Sequence, residues 1–489
     1  MSTTSTSEAR QRINALLDEN SFVEIGALVS ARATDFNLKQ LDTPSDGVIT
    51  GYGVINDSLV YVYSQDASVI NGTIGEMHAK KIANLYDLAM KMGAPVIGLI
   101  DSAGLRLQEA TDALNAFGEI YMKQTLASGV IPQITAIFGT CGGGLALFPT
   151  MTDFTFMEGK SAKLFVNAPN ALDGNNTSKC DSSAAKFQAE EAGIVDVVAD
   201  EADVLAQIRA LIGFLPANNE DFCMEDCMDD LNRVNPELAN CVGDTSVALS
   251  IIADDNNFFE VKANYAKSMV TGFIRLDGVT VGVVANRSEI LDEEGNVAEK
   301  FDAVLSAKGC EKAAEFVTFC DAFNIPIVTL IDVPGFLCGT QQEYNGIINH
   351  GAKLLYAYGE ATVPKVAVTL RKSYGGAYIT MSCKQMRSDI NLAWPTANFA
   401  VMGAEGAVEI LYSKELKKIE DPAERMRAEE EKKKEYNDLF CNPYNAASYG
   451  YIDDIIEPRN TRFRIIRALE QLACKKQENP WKKHDNLPL

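Results

Sequence analysis

The chain has 489 residues, enough for two domains of ordinary size rather than one core. Its 47% hydrophobic and 23% charged residues are a soluble globular composition, and a net charge of −23 excludes nucleic acid or an anionic membrane surface as the main partner. No run of about 18 apolar residues offers a transmembrane helix, and 11 scattered cysteines with 3 histidines point to reduced thiols in a cytoplasm, not to disulfides, a His-based metal cluster or a Ser-His-Asp triad.

The opening M-S-T-T-S-T-S-E-A-R-Q-R has no apolar segment, so it is no signal peptide and reads as a short flexible lead. From Val48 to Tyr63, apolar and polar residues alternate around Asn56-Asp57-Ser58, a hairpin signature. A helix follows, with Ile82, Leu85, Tyr86, Ala89 and Met92 at helical spacing. Gly93 is a good left-handed end for it, with Pro95 two positions on. Inside that helix, A-M-K-M around Lys91 matches the tetrapeptide of biotin carrier domains. There the lysine tips a hairpin; here Lys91 continues a polar helical face with Lys80, Asn84 and Asp87, and the match is a coincidence.

Pro95 opens an apolar strand that ends at Asp101 and runs into Ser102-Ala103-Gly104. After another helix, Pro132 opens Q-I-T-A-I-F, and Cys141-Gly-Gly-Gly-Leu145 follows. Then come Phe154-Thr-Phe-Met157 and Gly193-Ile-Val-Asp196. The second half writes the same landmarks in the same order. Val270 to Val284 alternate around Asp277-Gly278, and Ala313, Phe316, Val317 and Cys320 mark a helix ending at Asn324. Pro326 opens a strand to Asp332 and Val333-Pro334-Gly335; Pro364 opens the next, which leads to Tyr374-Gly-Gly-Ala-Tyr378. Phe399-Ala-Val-Met402 echoes Phe154–Met157, and Gly450-Tyr-Ile-Asp453 echoes Gly193–Asp196. Gly143 thus pairs with Gly375, Gly144 with Gly376 and Leu145 with Ala377. Ordered repetition of this kind is the mark of duplication.

The expectation is an α/β protein of two copies, residues 1–240 and 241–489, with the boundary in the polar segment 216–237. Cys223 and Cys227 in that segment lack a second pair at zinc-ribbon spacing, so no metal is expected. Extra length in the second half falls at 289–301 and in a charged stretch, Lys414 to Phe440, read as one solvated helix. A strand that stops at two or three small residues and starts a helix leaves backbone N–H groups unpaired, which makes an oxyanion site. Neither glycine cluster fits the G-x-G-x-x-G or Walker pattern.

The passages Y-V-Y-S-Q-D (61–66), D-S-A-G-L-R (101–106), D-V-P-G-F (332–336), H-G-A-K-L-L-Y-A-Y (350–358), R-K-S-Y-G-G-A-Y (371–378), M-G-A-E-G-A-V (402–408) and P-W-K-K-H (480–484) carry a family resemblance. The sequence resembles carboxyltransferase subunits of biotin-dependent acyl-CoA carboxylases, transcarboxylases and sodium-pumping decarboxylases. Propionyl-CoA carboxylase β chains and methylmalonyl-CoA decarboxylase α chains are the nearest kinds. The resemblance implies two crotonase-like ββα-spiral domains in a homohexamer, a trimer of dimers. Acyl-CoA would bind on the N-terminal domain and biotin, on a separate carrier protein, on the C-terminal one. Companions would be a biotin carboxyl carrier protein with a biotin carboxylase subunit or membrane decarboxylase subunits. The location would be cytoplasmic, or peripheral to a membrane decarboxylase complex.

By the same carry-over, the N–H groups of Gly144 and Leu145 would hold the thioester enolate and those of Gly376 and Ala377 the biotin oxygen. Ala103, Gly104, Gly143, Gly375, Tyr378 and Ile379 would shape the substrate sites, with no metal in this chain. Ile379 stands where propionyl-CoA carboxylases typically carry Asp, and D-S-A-G-L-R departs from the common D-S-G-G-A-R. Two other classes compete: a biotin-independent crotonase-type hydratase or isomerase, which would need a carboxylate such as Glu109 or Glu119 at the glycines, and a non-catalytic scaffold subunit.

Overall fold

The computed structural model describes residues 7–33, 42–173, 177–241, 243–292 and 294–488. Of the segment expected as a flexible lead, residues 1–6 lie outside that set, but Glu8–Leu16 is a helix. The Ser7 hydroxyl accepts from the Arg10 amide as its N-cap, and Ala9, Ile13 and Leu16 are buried at helical spacing. That apolar face overrides the polar composition around it.

The chain divides into two compact units, residues 1–223 with 322–324, and residues 224–321 with 325–489. In the first unit, β1 (Val23–Ile25), β2 (Val48–Ile55) and β3 (Ser58–Gln65) are antiparallel neighbours. The sheet continues in parallel through β4 (Val96–Ser102), β5 (Gln133–Gly142) and β6 (Phe154–Glu158). β7 (Lys163–Phe165) pairs with the end of β5, and β8 (Val197–Ala199) with β6. Parallel neighbours need crossovers, and the helices Glu76–Met92 and Ala110–Ala127 supply them.

The second unit repeats this plan. β9 (Phe258–Val261), β10 (Met269–Leu276) and β11 (Val279–Asn286) are antiparallel. A separate ribbon, β12 (Glu289–Leu291) with β13 (Val297–Lys300), takes up the extra length expected there. β14 (Ile327–Val333), β15 (Lys365–Tyr374) and β16 (Ile390–Ala393) run in parallel; β17 (Asn398–Ala400) pairs with the end of β15 and β18 (Asp454–Ile455) with β16. The crossover helices are Ala307–Ala322 and Ile347–Glu360. Both hairpins turn through positive φ at two central residues, Asn56 and Asp57 (48° and 65°) and Asp277 and Gly278 (55° and 75°), the turn whose twist suits paired strands.

Ile82, Leu85, Tyr86 and Ala89 are buried as expected, but Met92, the last residue of its helix, is 60% exposed. Gly93 and Asn324 end their helices at φ 61° and 56°. Lys91 is exposed in the last turn of its helix, not at a hairpin tip. The charged stretch after Lys414 is broken: Ser413–Leu416 stops, and Asp421 caps a new helix, Pro422–Phe440, with proline at its first position and no buried residue.

One expected correspondence is wrong. Phe154 faces Ile134 and its structural twin is Ile390, which faces Val366; Phe399 lies in β17, the counterpart of β7. Both are short apolar strands along the same neighbour, so an apolar tetrapeptide slips easily from one to the other. Gly193–Asp196 and Gly450–Asp453 do correspond. Asp196 Oδ2 accepts the Thr155 amide at 2.6 Å and Asp453 Oδ2 the Asn391 amide at 2.8 Å, each locking the start of the adjacent strand.

A buried lysine is also duplicated, at the offset that separates Pro95 from Pro326. Lys81 Nζ donates to the carbonyls of Ser45 and Val48, and Lys312 Nζ to those of Lys262, Tyr265 and Met269. Each ammonium ties a crossover helix to the segment entering its hairpin. Among the described residues no helix is long and apolar enough to cross a membrane.

Candidate active-site turns

In both units the strand that leads to the glycines carries extra residues. Ile100 faces Ile137 but Ser102 faces Cys141; Ile331 faces Thr369 but Val333 faces Ser373. A bulge of this kind bends the strand and re-aims the residues beyond it. After β5 comes a short 3-10 turn, Gly143–Leu147, and after β15 the short helix Gly375–Thr380. Gly143 and Gly375 adopt φ of 64° and 57°, a left-handed conformation that glycine takes at no steric cost. Gly144 and Gly376 are exposed, while Leu145 and Ala377 beside them are buried.

The peptide after each exposed glycine is oriented by a hydroxyl. Tyr121 Oη donates to the Gly144 carbonyl at 2.7 Å, and Thr380 Oγ1 to the Gly376 carbonyl at 2.9 Å. In a trans peptide the N–H lies opposite the C=O. The N–H groups of Leu145 and Ala377 therefore point away from those hydroxyls, and that of Ala377 lies in the first turn of an α-helix, which offers it no acceptor. Such fixed donors suit a carbonyl oxygen that gains negative charge.

The neighbouring residues differ between units. Gly104 (φ 96°) packs on the first turn so closely that a Cβ there would stand 2.8 Å from the Gly142 carbonyl. The amides of Ala103 and Gly104 donate to Asn71 O at 3.0 Å and Ser102 Oγ at 3.1 Å. This loop supports the turn by packing. In the second unit a Cβ on Gly376 would lie 3.6 Å from the Phe336 ring, which also edges a cavity of about 420 Å³ lined by Leu337, Cys338, Ile347 and Gly351. Tyr378 stacks edge-on against Phe399 at 5.5 Å, burial pushes its phenol up, and its Oη has no hydrogen-bond partner among the described residues. Ile379 is 44% exposed.

Beneath the Ala103–Gly104 loop lies a buried ionic cluster that no sequence motif announces. Arg106 Nη1 pairs with Asp46 Oδ1 at 2.6 Å and Glu109 Oε1 at 2.9 Å, and all three side chains are fully buried. Those carboxylates also cap the helix Glu76–Met92, whose N-cap is a glycine: Glu109 Oε2 accepts the Glu76 amide at 2.6 Å and Asp46 Oδ2 the His78 amide at 2.8 Å. Burial, foremost, pushes the Asp46 carboxyl up, and Arg106 pulls it back. Glu109 is committed to this cluster and offers no base at the glycines. The one available hint is the Arg in D-S-A-G-L-R, followed three residues on by Glu.

His78 completes the cluster. Its Nδ1 lies 2.9 Å from the Asp46 carbonyl and its Nε2 3.2 Å from Gln65 Nε2, so the network assigns a neutral ring that donates at Nδ1 and accepts at Nε2. Burial pushes the imidazole well below its usual value, and Arg106 adds to the push. The folded protein then binds fewer protons than the unfolded chain below the ordinary value of about 6.5. The stability contribution is fully present above that pH and is lost as pH falls toward the folded value, by up to about 1.4 kcal/mol per unit. The thermal midpoint should fall between about pH 6.5 and 5, and His78→Asn should flatten that slope. An unchanged slope in the variant would count against a neutral buried ring.

The carboxyl transferase domain family matches residues 5–487. The propionyl-CoA carboxylase beta chain of Roseobacter denitrificans is 45% identical, over 98% of this chain and 93% of its own. Methylmalonyl-CoA decarboxylase subunit alpha of Propionigenium modestum is 43% identical over the same shares. Among solved structures, the transcarboxylase 12S hexamer with methylmalonyl-coenzyme A and methylmalonic acid bound matches with a TM-score of 0.91 and 40% identity, over 98% of this chain and 92% of that one.

Proposed function

Because the chain belongs to the carboxyl transferase family, we propose that it is the carboxyltransferase subunit that moves a carboxyl group between biotin, held on a separate carrier protein, and the α-carbon of propionyl-CoA or methylmalonyl-CoA. The observation that carries this reading is the matched pair of turns at Gly144-Leu145 and Gly376-Ala377. A transfer of this kind charges two carbonyl oxygens, one on the thioester and one on the biotin ring, and the chain builds two donor sites of one design. The relatives named for propionyl-CoA and methylmalonyl-CoA support the substrate class.

In this reading the N–H groups of Gly144 and Leu145 hold the thioester oxygen, with Ala103, Gly104 and Gly143 shaping the turn. The N–H groups of Gly376 and Ala377 hold the biotin oxygen, and Gly375, Tyr378 and Ile379 frame the approach. The second unit suits biotin, because the apolar cavity edged by Phe336 matches an uncharged bicyclic ring. Biotin, when bound, supplies the transferable carboxyl group and the proton acceptor. No side chain of this chain need act as base, which agrees with Glu109 being committed elsewhere. The companions are a biotin carrier with either a biotin carboxylase subunit or membrane decarboxylase subunits, around a homohexamer. The hexameric assembly of transcarboxylase 12S supports that stoichiometry.

The test is decarboxylation of methylmalonyl-CoA by the purified chain with free biotin. Biotin-dependent CO₂ release, faster with methylmalonyl-CoA than with malonyl-CoA, is expected. No release from an intact hexamer would instead indicate a scaffold subunit, and hydration of an enoyl-CoA without biotin would indicate a crotonase-type hydratase.

A further inference from the structure

We propose that Arg12, on the N-terminal helix Glu8–Leu16, is a positioning residue for the Gly144-Leu145 turn, acting through Asp101 and the bulge of β5; this rests on reading that turn as the thioester site. Asp101 lies near the end of β4, and its carboxylate sits so tightly over Gly139, inside the bulge, that any Cβ there would overlap it. Arg12 keeps only 6% of its side chain exposed, and its Nη1 donates to Asp101 Oδ2 at 3.3 Å. Its guanidinium also covers the ring of Phe138, the residue before Gly139, at 4.8 Å. The remaining donors go to Glu201 at 3.1 and 3.3 Å and to Glu8 at 3.4 Å. One side chain thus grips the bulge on two sides, just before the strand delivers Gly143, Gly144 and Leu145.

The second unit reaches the same arrangement by another route. Asp332, the twin of Asp101, accepts Arg371 Nε at 2.9 Å and Nη2 at 2.6 Å on one oxygen, and the Lys372 amide at 2.9 Å on the other. Arg371 and Lys372 lie inside the bulge of β15, between Thr369 and Ser373. With Gly143 matched to Gly375, the twin of Arg371 is Gly139, which has no side chain. In the first unit the arginine comes instead from a helix 89 residues away from Asp101. An aspartate–arginine pair recreated from a different part of the chain answers a need of the turn, not the inheritance of a sequence position.

Arg12 also fastens its helix to Glu201, so the experiment must separate fastening from positioning. Arg209 provides the control. It holds the end of the same helix through Leu16 O at 2.7 Å and Asp18 Oδ1 at 2.6 Å, and its further hydrogen bond goes to Asn56 Oδ1 at 3.1 Å, on the β2–β3 hairpin. Biotin-dependent decarboxylation of methylmalonyl-CoA is measured beside the thermal midpoint. Arg12→Gln should lower kcat by about 10- to 100-fold with KM for the thioester within about twofold, because the turn acts on developing charge. Arg12→Lys, which keeps the charge, should recover kcat to within about threefold. Arg209→Gln should lower the midpoint and leave kcat within about twofold. Where Arg12→Gln fails to fold, Asp101→Asn is read by the same split. Equal kcat losses in Arg12→Gln and Arg209→Gln, or a change confined to KM, overturn the positioning role alone. A wild-type protein without turnover overturns the reading of the turn and the role together.

Discussion

Replacing Ala377 with proline should lower turnover by about 10²- to 10³-fold or more, while binding of the CoA thioester stays within about twofold. The substitution removes one donor without breaking an intrahelical hydrogen bond. Ala377 is the third residue of the helix Gly375–Thr380, where an N–H has no intrahelical acceptor to lose. Proline is tolerated in a first helical turn, and the glycine before it accepts the restriction that proline imposes. The ring also places carbon where the N–H had pointed, so the oxygen of a bound group meets a closed surface. Steady-state decarboxylation gives the first quantity and equilibrium binding of the thioester the second. Equal loss of both would show that the two turns do not serve separate carbonyls.

The second large effect should come from Arg106→Leu, which should destabilise the first unit by about 3–5 kcal/mol. The pair is buried, so its removal leaves two carboxylates, Asp46 and Glu109, without a counter-charge in a site that water does not reach. The same carboxylates accept the amides of Glu76 and His78, so the start of the crossover helix loosens with them. A glycine at position 75 is part of the design, since a Cβ there would stand 2.6 Å from Arg106 Nη1. A chain of two units need not unfold in one step. Hydrogen exchange at the Glu76 and His78 amides is therefore the sharper measurement. A change below about 1 kcal/mol would mean that the cluster relaxes by neutralising its carboxylates.

Much of this architecture is legible in the sequence because each element carries a local signal. The hairpins announce themselves at Asn56-Asp57 and Asp277-Gly278, the helices by apolar spacing closed at Gly93 and Asn324, and the paired turns by their glycines. The features that stay hidden depend on tertiary neighbours. Arg12 lies in a segment whose composition reads as a tail; only Ala9, Ile13 and Leu16 at helical spacing hint otherwise. The pairing of Arg106 with Asp46 spans 60 positions, and no spacing rule joins them. Phe154 and Phe399 look alike because short parallel strands ask only for apolar residues. Aspartates that lock strand ends, such as Asp196 and Asp453, are the safer markers, since each has a geometric partner.

The duplicated lysines carry the same lesson into ancestry. Lys81 and Lys312 bond to carbonyls of different residue types, yet each still places a buried ammonium among backbone oxygens at the same point of its unit. Apolar positions can drift, because one hydrocarbon replaces another at modest loss. A lysine already ringed by carbonyls drifts less readily, because losing it leaves those carbonyls unpaired and moving it leaves an unpaired charge. At this point of the fold the buried ammonium has outlasted the residues around it, a second record of the duplication that supplied both turns.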